Sequence, residues 1–283
     1  MAQRSWFITG AGRGLGHAFA RAALERGDDV IGTVRQPGSA ADLAAEFPGR
    51  FQRRQLDVKD RAAVVTLLGD IATPDIVINN AGYGLVGALE EISEEQATEQ
   101  FAVNLFGAMW VTQAVLPGMR ERGSGRIVQV SSVGAVGHLP LFGVYNATKW
   151  ALEGMSAALA DEVAPHGIRV HLLQLGGFAT DWAGSSMRYA EARDAYAATR
   201  EAIFGTPGYP EPVTPTHSAD EPPGDEPPAE ESPAVAAQAL LDLLDEPDPP
   251  LRKIIGTGAH DMVRMALEAR RDDYRRDPAF TWP

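Results

Sequence analysis

The chain has 283 residues, a hydrophobic fraction of 45%, a formal net charge of −13 at pH 7 and no cysteine. Without cysteine there are no disulfides, thiolate–zinc sites or cysteine nucleophiles, and the negative charge argues against a nucleic-acid partner. The sequence does not open with a signal-peptide pattern, and no apolar run approaches the ~18 residues of a membrane span. We therefore expect a cytoplasmic protein with no membrane partner.

Short apolar segments alternate with helical patterns along the chain. This alternation is typical of a parallel sheet covered on both faces. We predict an α/β, Rossmann-type doubly wound fold with a mainly seven-stranded parallel sheet, and we treat 1–283 as a single domain. The predicted strands lie at 6–8, 30–34, 51–56, 76–78, 127–130, 168–173 and 251–255, and the main predicted helices at 94–119, 145–163, 182–204, 234–244 and 262–276.

The segment 205–233 is rich in Pro, Glu and Asp and poor in large apolar residues. Such a composition buries too little surface to offset the entropy of ordering. We expect a flexible flap on the substrate side.

A cluster of glycines lies between the first predicted strand and helix. Gly10, Gly12, Gly14 and Gly16 would let the backbone approach a pyrophosphate, which the free N–H groups of the helix N-terminus attract. The position after a strand and before a helix favours a dinucleotide site. The alternative is an ordinary glycine-rich turn.

Arginines near this loop indicate which dinucleotide binds. NAD enzymes tend to carry an acidic residue about 20 positions beyond the glycines, whereas here the second strand ends at Arg35. A guanidinium suits a 2′-phosphate, and Arg13 could reach the same group. NADP(H) is favoured, and NAD(H) stays possible. The alternative is that Arg35 lies in solvent at a strand end.

Tyr145 and Lys149 are one helical turn apart, on the same face. Tyrosine titrates near ~10, too high for a base at neutral pH, but a nearby ammonium lowers that value. The pair is thus a workable general acid/base, although such a pair also occurs on solvated helix faces.

Taken together, these motifs resemble those of the short-chain dehydrogenase/reductase family, of the non-extended type. The loop from Thr9 to Gly16 resembles TGxxxGxG, residues 79–82 resemble NNAG, and residues 145–149 resemble YxxxK. Coverage runs from about residue 5 to 181, and more weakly from 232 to 259. This chain departs from the family pattern at Leu175, where the family usually has proline. Losing proline frees the backbone there, so we expect altered loop flexibility.

The resemblance implies a role for each matched residue. Ser132 would polarise the substrate oxygen, Tyr145 would transfer the proton, Lys149 would bind the nicotinamide ribose and lower the tyrosine pKa, and Asn104 would hold a relay water. The implied cofactor contacts are Gly10, Gly12, Arg13, Gly14, Leu15, Gly16, Arg35, Asp57, Val58, Asn80, Ala81, Gly82, Tyr145, Lys149, Gly176, Phe178 and Thr180. The candidate substrate contacts are Ser132, His138, Phe142 and Trp182.

These features predict an NADP(H)-dependent oxidoreductase that interconverts a carbonyl and an alcohol, with a hydrophobic small-molecule substrate. A non-catalytic NADP-binding sensor or scaffold, or an epimerase or lyase on the same fold, remain alternatives. The histidines lack metal-ligand spacing, so we expect no metal. The family resemblance also implies a homodimer or homotetramer, paired through the helices at 94–119 and 145–163.

Overall fold

The computed structural model describes residues 3–180, 186–210 and 231–281. Its main sheet has seven parallel strands in the order β3-β2-β1-β4-β6-β7-β9. This confirms the predicted α/β doubly wound fold. The strands of this sheet are β1 (Ser5–Ile8), β2 (Asp29–Val34), β3 (Phe51–Gln55), β4 (Ile76–Asn79), β6 (Gly125–Val130), β7 (Ile168–Leu175) and β9 (Arg252–Ile255).

Helices cover both faces of this sheet, as its apolar central strands require. The helices are α1 (Gly14–Glu25), α2 (Ala41–Glu46), α3 (Arg61–Gly69), α4 (Glu94–Phe101), α5 (Ala108–Arg122), α6 (Gly143–Val163), α7 (Ala197–Phe204), α8 (Pro233–Asp245) and α9 (Ala259–Tyr274). One core layer joins the sheet to α1, α2 and α8, and the other joins it to α3, α5 and α6.

Side chains of adjacent strand residues point alternately into the two core layers. In β1, Trp6 and Ile8 enter the first layer, while Phe7 enters the second. Each of these side chains is at most 1% exposed. Because both faces are covered, the central strands β1 and β4 read as apolar runs, whereas in the edge strand β3, with the sequence FQRRQ, only Phe51 is buried.

The long helix predicted at 94–119 is interrupted in the structure. It begins at α4 with a capping box, in which Gln96 N donates to Ser93 Oγ at 3.1 Å and Ser93 N donates to Gln96 Oε1 at 3.0 Å. Ala102–Gly107 then forms a π-helical segment before α5. This segment buries Asn104. By length and composition alone Glu94–Arg122 could cross a membrane, but here it packs against α3 and α6.

The helix predicted at 182–204 is wrong over most of its described part. Residues 181–185 lie outside the described ranges, and Met187–Tyr189 forms a strand, β8. It pairs in parallel with β5 (Gly84–Val86), a strand that the prediction missed. Met187 is buried and Arg188 exposed, so the burial period is two. Only α7 is α-helical.

The flexible flap predicted at 205–233 is described only at its two ends. Residues 211–230 lie outside the described ranges. Tyr209, within the predicted flap, packs instead against Tyr189 and Phe204, with ring centroids 5.4 and 6.2 Å away. Tyr209 thus has packing neighbours at the start of the segment, and the flexibility of the rest stays a prediction.

Candidate active site

The loop between β1 and α1 needs glycine at several positions. Gly10 and Gly14 have φ of +69° and +55°, a region that glycine occupies without strain. A Cβ on Gly16 would overlap the Gly10 carbonyl oxygen and the Asn80 amide, and one on Gly12 would lie 2.9 Å from Ser39 Cβ. The bare backbone is therefore required by the packing.

The loop after β4 is hydrogen-bonded directly to the glycine loop. The backbone N–H groups of Asn80 and Ala81 each donate to Thr9 Oγ1 at 3.0 Å. The Asn80 side chain donates to the carbonyl oxygens of Thr9 and Gly10 at 3.0 and 3.2 Å. Thr9 and Asn80 thus hold the two motifs together at the carboxyl edge of the sheet.

The start of α1 fits an anionic cofactor group. Its N-cap residue, Arg13, makes no side-chain cap hydrogen bond, and the first turn of α1 has no acidic residue. The first N–H groups and the positive dipole end are thereby left for an anion. Thr180 packs 3.5 Å from where a Cβ on Gly14 would be. These residues fit a dinucleotide pyrophosphate.

The end of β2 is positively charged. Arg35 is exposed directly after this strand, and Arg13 Nη2 donates to Ser186 Oγ at 2.6 Å. Sequence reasoning missed two neighbours: Ser39, which contacts the Gly12 position, and Arg53, whose Nη1 donates to Ser39 O at 3.1 Å. Both are distant from the glycines in sequence, so no local motif marks them.

Two of the predicted cofactor contacts, Asp57 and Val58, follow β3. Asp57 is exposed, and its Oδ1 accepts from the backbone N of Lys59 at 3.1 Å. Val58 is buried, against the position where Gly107 would carry a Cβ. Leu15, at the start of α1, packs on the first core layer.

Three of the four predicted catalytic residues meet where β6 ends and α6 begins. The hydroxyl of Ser132 hydrogen-bonds the phenol of Tyr145. Lys149 Nζ donates to the carbonyl oxygen of Val130 at 2.7 Å and lies 5.9 Å from the Tyr145 ring centroid. Tyr145 and Lys149 are buried, so the alternative of a solvated helix face is wrong.

Burial raises the pKa of Tyr145 and lowers that of Lys149. An activated tyrosine would instead have a lowered pKa. Desolvation raises the pKa of Tyr145 to about 12, with the Ser132 hydrogen bond acting against it. Desolvation lowers the pKa of Lys149 to about 8. In the protein by itself burial dominates the pKa of Tyr145, and the expectation that Lys149 lowers this pKa stays a prediction.

Asn104 uses its side chain to connect elements of the protein. Its Oδ1 accepts from Tyr83 N at 3.1 Å, and its Nδ2 donates to Tyr83 O at 3.0 Å and to Thr148 Oγ1 at 3.2 Å. Thr148 Oγ1 donates in turn to Tyr145 O at 2.7 Å. Asn104 thus joins the loop after β4 to α6, with Gly82 alongside. Its role in a proton relay stays a prediction.

The predicted substrate residues are placed differently from one another. Phe142 lies edge-on to Tyr145, with centroids 6.4 Å apart, and packs on a small apolar cluster that includes Leu141 and Met187. His138 is exposed. Trp182 lies outside the described residues. We call the apolar cluster beside Tyr145 the substrate-side cluster; its buried members are Val86, Ala88, Leu141 and Met187.

The carboxyl end of β7 and the residue after it are hydrogen-bonded to β9. Leu175 pairs with Ile255, and Gly176 N donates to Ile255 O at 2.9 Å. The side chain of Phe178 packs in the first core layer, so the predicted cofactor contact would come from its backbone. Leu175 in place of proline extends the strand; its effect on loop flexibility remains a prediction.

A buried ion pair that the sequence did not reveal supports the substrate-side cluster. Arg200 Nη1 donates to Glu91 Oε1 at 2.6 Å, and the two side chains are 2% and 0% exposed. Glu91 also accepts from Ala88 N at 2.9 Å, from Arg193 N at 2.7 Å and from the Tyr209 hydroxyl. The pair fastens α7 and the chain after it to the turn that follows β5.

Glu153 is a second buried carboxylate, one helical turn beyond Lys149. It accepts from Ser131 Oγ at 2.9 Å, Gln174 Nε2 at 3.0 Å and Arg252 Nε at 2.7 Å. It thereby joins α6 to the carboxyl ends of β6 and β7 and to the start of β9. Its partners come from distant parts of the sequence, which is why no spacing pattern indicated it.

Comparisons with known proteins agree with this geometry. Residues 5–190 match the family model described as short chain dehydrogenase. The chain is 38% identical over 268 residues to Oxidoreductase BOA17 of Botryotinia fuckeliana, covering 93% of this chain and 92% of that protein. The chain therefore belongs to the short-chain dehydrogenase family, and it is an oxidoreductase.

Two solved structures are also similar. A short-chain dehydrogenase from Streptomyces avermitilis has a TM-score of 0.84 at 35% identity, with 97% of this chain and 96% of that chain covered. An alcohol dehydrogenase from Thermococcus sibiricus, complexed with 5-hydroxy-NADP, has a TM-score of 0.68 at 25% identity, with 90% and 97% covered. These likenesses support a nicotinamide cofactor.

Proposed function

We propose that this protein is an NADP(H)-dependent oxidoreductase that interconverts a carbonyl and a secondary alcohol. The observation that carries the proposal is the position of Ser132 beside the buried Tyr145 and Lys149 at the carboxyl edge of the sheet. When bound, the cofactor supplies or accepts the hydride. The glycine loop, the start of α1 and Thr180 would hold its pyrophosphate and nicotinamide end.

The chain's own residues handle the proton. The pKa of Tyr145 is raised to about 12, so at neutral pH its phenol carries a proton that it can donate to a carbonyl oxygen. Ser132 hydrogen-bonds the phenol and would hold the same substrate oxygen. With a pKa of about 8, Lys149 is largely protonated at pH 7 and can return a proton after turnover. This protonation state suits the reduction direction.

The preference for NADP(H) is supported by charge. Arg35 follows β2 directly, at the position where an NAD enzyme would carry an acidic residue. Arg13 and Arg53 lie on the glycine-loop side. The structural relative from Thermococcus sibiricus is complexed with an NADP derivative. Guanidinium groups form strong, paired hydrogen bonds with phosphate oxygens.

A hydrophobic substrate fits the surroundings of Tyr145. Phe142 and the substrate-side cluster present aromatic and aliphatic groups beside the phenol. Apolar walls with few polar groups are typical of sites for hydrophobic ligands. We also infer a cytoplasmic location and a homodimer or homotetramer paired through α4, α5 and α6. The exposed ring of Phe106, stacked on Trp110 at 6.1 Å, supports pairing through this face.

The decisive experiment replaces Tyr145 with Phe. Removing the proton donor should lower kcat by roughly 10²–10⁴-fold and leave NADPH affinity nearly unchanged, as measured by NADPH consumption with a panel of apolar ketones and by calorimetry. Tyr274→Phe, an exposed tyrosine on α9, is the matched control. A Tyr145→Phe variant that keeps most of its kcat would refute the assignment. Net NADPH consumption by the parent would also exclude an epimerase.

Cofactor preference is tested by Arg35→Asp. Losing charge-assisted hydrogen bonds should weaken NADPH binding by roughly 10–100-fold while leaving NADH binding largely unchanged. Arg120→Asp, on the exposed surface of α5, makes the same change in net charge elsewhere. Equal losses for both cofactors in Arg35→Asp would show that Arg35 does not read the 2′-phosphate.

A further inference from the structure

A polar cavity lies at the amino edge of the sheet, opposite the active site. It has a volume of about 330 Å³. Four arginines line it, with one carboxylate: Arg4, Arg122, Arg126, Arg169 and Asp75. Such a concentration of positive charge is unexpected in a chain whose formal net charge is −13.

Two of these arginines stand side by side. Arg126 of β6 and Arg169 of β7 are direct partners in the parallel register, so their side chains leave the same face of the sheet about 4.8 Å apart. Like charges placed directly opposite each other on a sheet are destabilising. The arrangement needs a counter-charge.

The protein supplies little of that counter-charge. Nη1 of Arg126 is buried and has no hydrogen-bond partner among the described residues. Leaving a guanidinium nitrogen without water or an acceptor is unfavourable. Arg169 Nη1 donates to a neutral acceptor, the carbonyl oxygen of Pro247, at 3.0 Å.

The nearby carboxylates are already engaged. Asp75 accepts from the backbone N and the hydroxyl of Ser5, both at 2.8 Å, and pairs with Arg122 at 3.4 Å. Asp245, at the end of α8, pairs with both Arg4 and Arg26 at 3.2 Å. Burial and the charges of Arg169 and Arg4 lower the pKa of Arg126, with Asp245 acting in the opposite direction. The local field is therefore positive.

We propose that this cavity binds a phosphate-type oxyanion, between the guanidinium groups of Arg126 and Arg169. Planar guanidinium forks match the oxygens of a tetrahedral oxyanion. A doubly charged anion would both separate the two like charges and satisfy the buried nitrogen. The cavity is at the opposite edge of the sheet from the glycine loop, so the site is distinct from that of the cofactor.

The test is a calorimetric titration of the full chain with inorganic phosphate, at constant ionic strength set with NaCl. Arg126→Gln should weaken phosphate binding at this site by at least about ten-fold, the factor expected for one charge-assisted hydrogen bond. Arg169→Gln, whose side chain is exposed, should do the same without touching a buried group. Arg264→Gln, on the exposed surface of α9, should bind as the parent does.

The glycine loop is identical in all these variants, so phosphate bound there cannot account for a difference between them. Equal phosphate binding by the parent, Arg126→Gln and Arg169→Gln would overturn the proposal, as would no binding by the parent. A parallel titration with glycerol 3-phosphate identifies the source of the group: tighter binding of the ester assigns the site to phosphomonoesters, and tighter binding of inorganic phosphate to the free ion.

Discussion

Replacing Arg200 with Met tests how the substrate side of the molecule is held together. Met has a similar length but cannot donate hydrogen bonds. The change leaves Glu91 buried without its cationic partner. It also removes the donors to the carbonyl oxygens of Pro207 and Arg193, which Arg200 now reaches at 2.6 and 2.8 Å.

The expected cost follows from burial. Burial by itself would raise the pKa of Glu91, but hydrogen bonds from Arg193, Tyr209 and Ala88 and the charge of Arg200 hold it below its usual value. Removing one member of a fully buried pair costs about 3–5 kcal/mol. Because the remaining donors still bind the carboxylate, we expect the lower half of this range.

The assay is urea unfolding followed by circular dichroism, with free energies extrapolated to water. Arg193→Met is the control, because Arg193 pairs with Glu90 at 2.8 Å and both side chains are more than half exposed, at 56% and 58%. Exposed pairs contribute less than about 1 kcal/mol. A double variant, Glu91→Leu with Arg200→Met, should recover much of the loss, since it leaves no buried unpaired charge. The reasoning fails if Arg200→Met costs no more than Arg193→Met.

Two further predictions concern the active site. Because burial lowers the pKa of Lys149 from 10.5 to about 8, the folded state disfavours its ammonium, and the free energy of unfolding should rise by about 2 kcal/mol between pH 7 and 9.5, relative to Lys149→Met. Above pH 10 the raised pKa of Tyr145 lowers the free energy of unfolding as pH rises. Parallel pH profiles of the parent and Lys149→Met would contradict the prediction for Lys149. Gly16→Ala should raise the NADPH dissociation constant more than about ten-fold because its Cβ overlaps the Gly10 carbonyl. Gly38→Ala, which meets no atom within 4 Å, should bind normally, and equal affinities would show that the loop can adjust.

The features that could be predicted from the sequence are those that depend on neighbours along the chain. The central strands of the main sheet, such as β1 and β4, read as apolar runs because both of their faces are buried. The glycine loop follows from the steric needs of a tight strand-to-helix turn. The pairing of Tyr145 with Lys149 follows from the helical repeat, which places residues four apart on one face. For these features a window of a few residues contains a recognisable pattern, even where distant residues such as Asn80 contribute to its cause.

Tertiary structure decided the features that depend on distant contacts. The raised pKa of Tyr145 and the lowered pKa of Lys149 come from desolvation by surrounding elements, which no local spacing reports. The strand at Met187–Tyr189 forms because β5, about a hundred residues earlier, offers an edge to pair with.

The same holds for the charges. Glu91 and Arg200 are 109 residues apart in sequence, and Arg126 and Arg169 of the arginine-lined cavity come from separate strands. In a parallel sheet, residues at corresponding strand ends become neighbours only once the crossovers are complete. The sequence shows how many ionisable residues the chain has. Only the fold determines which of them become buried neighbours.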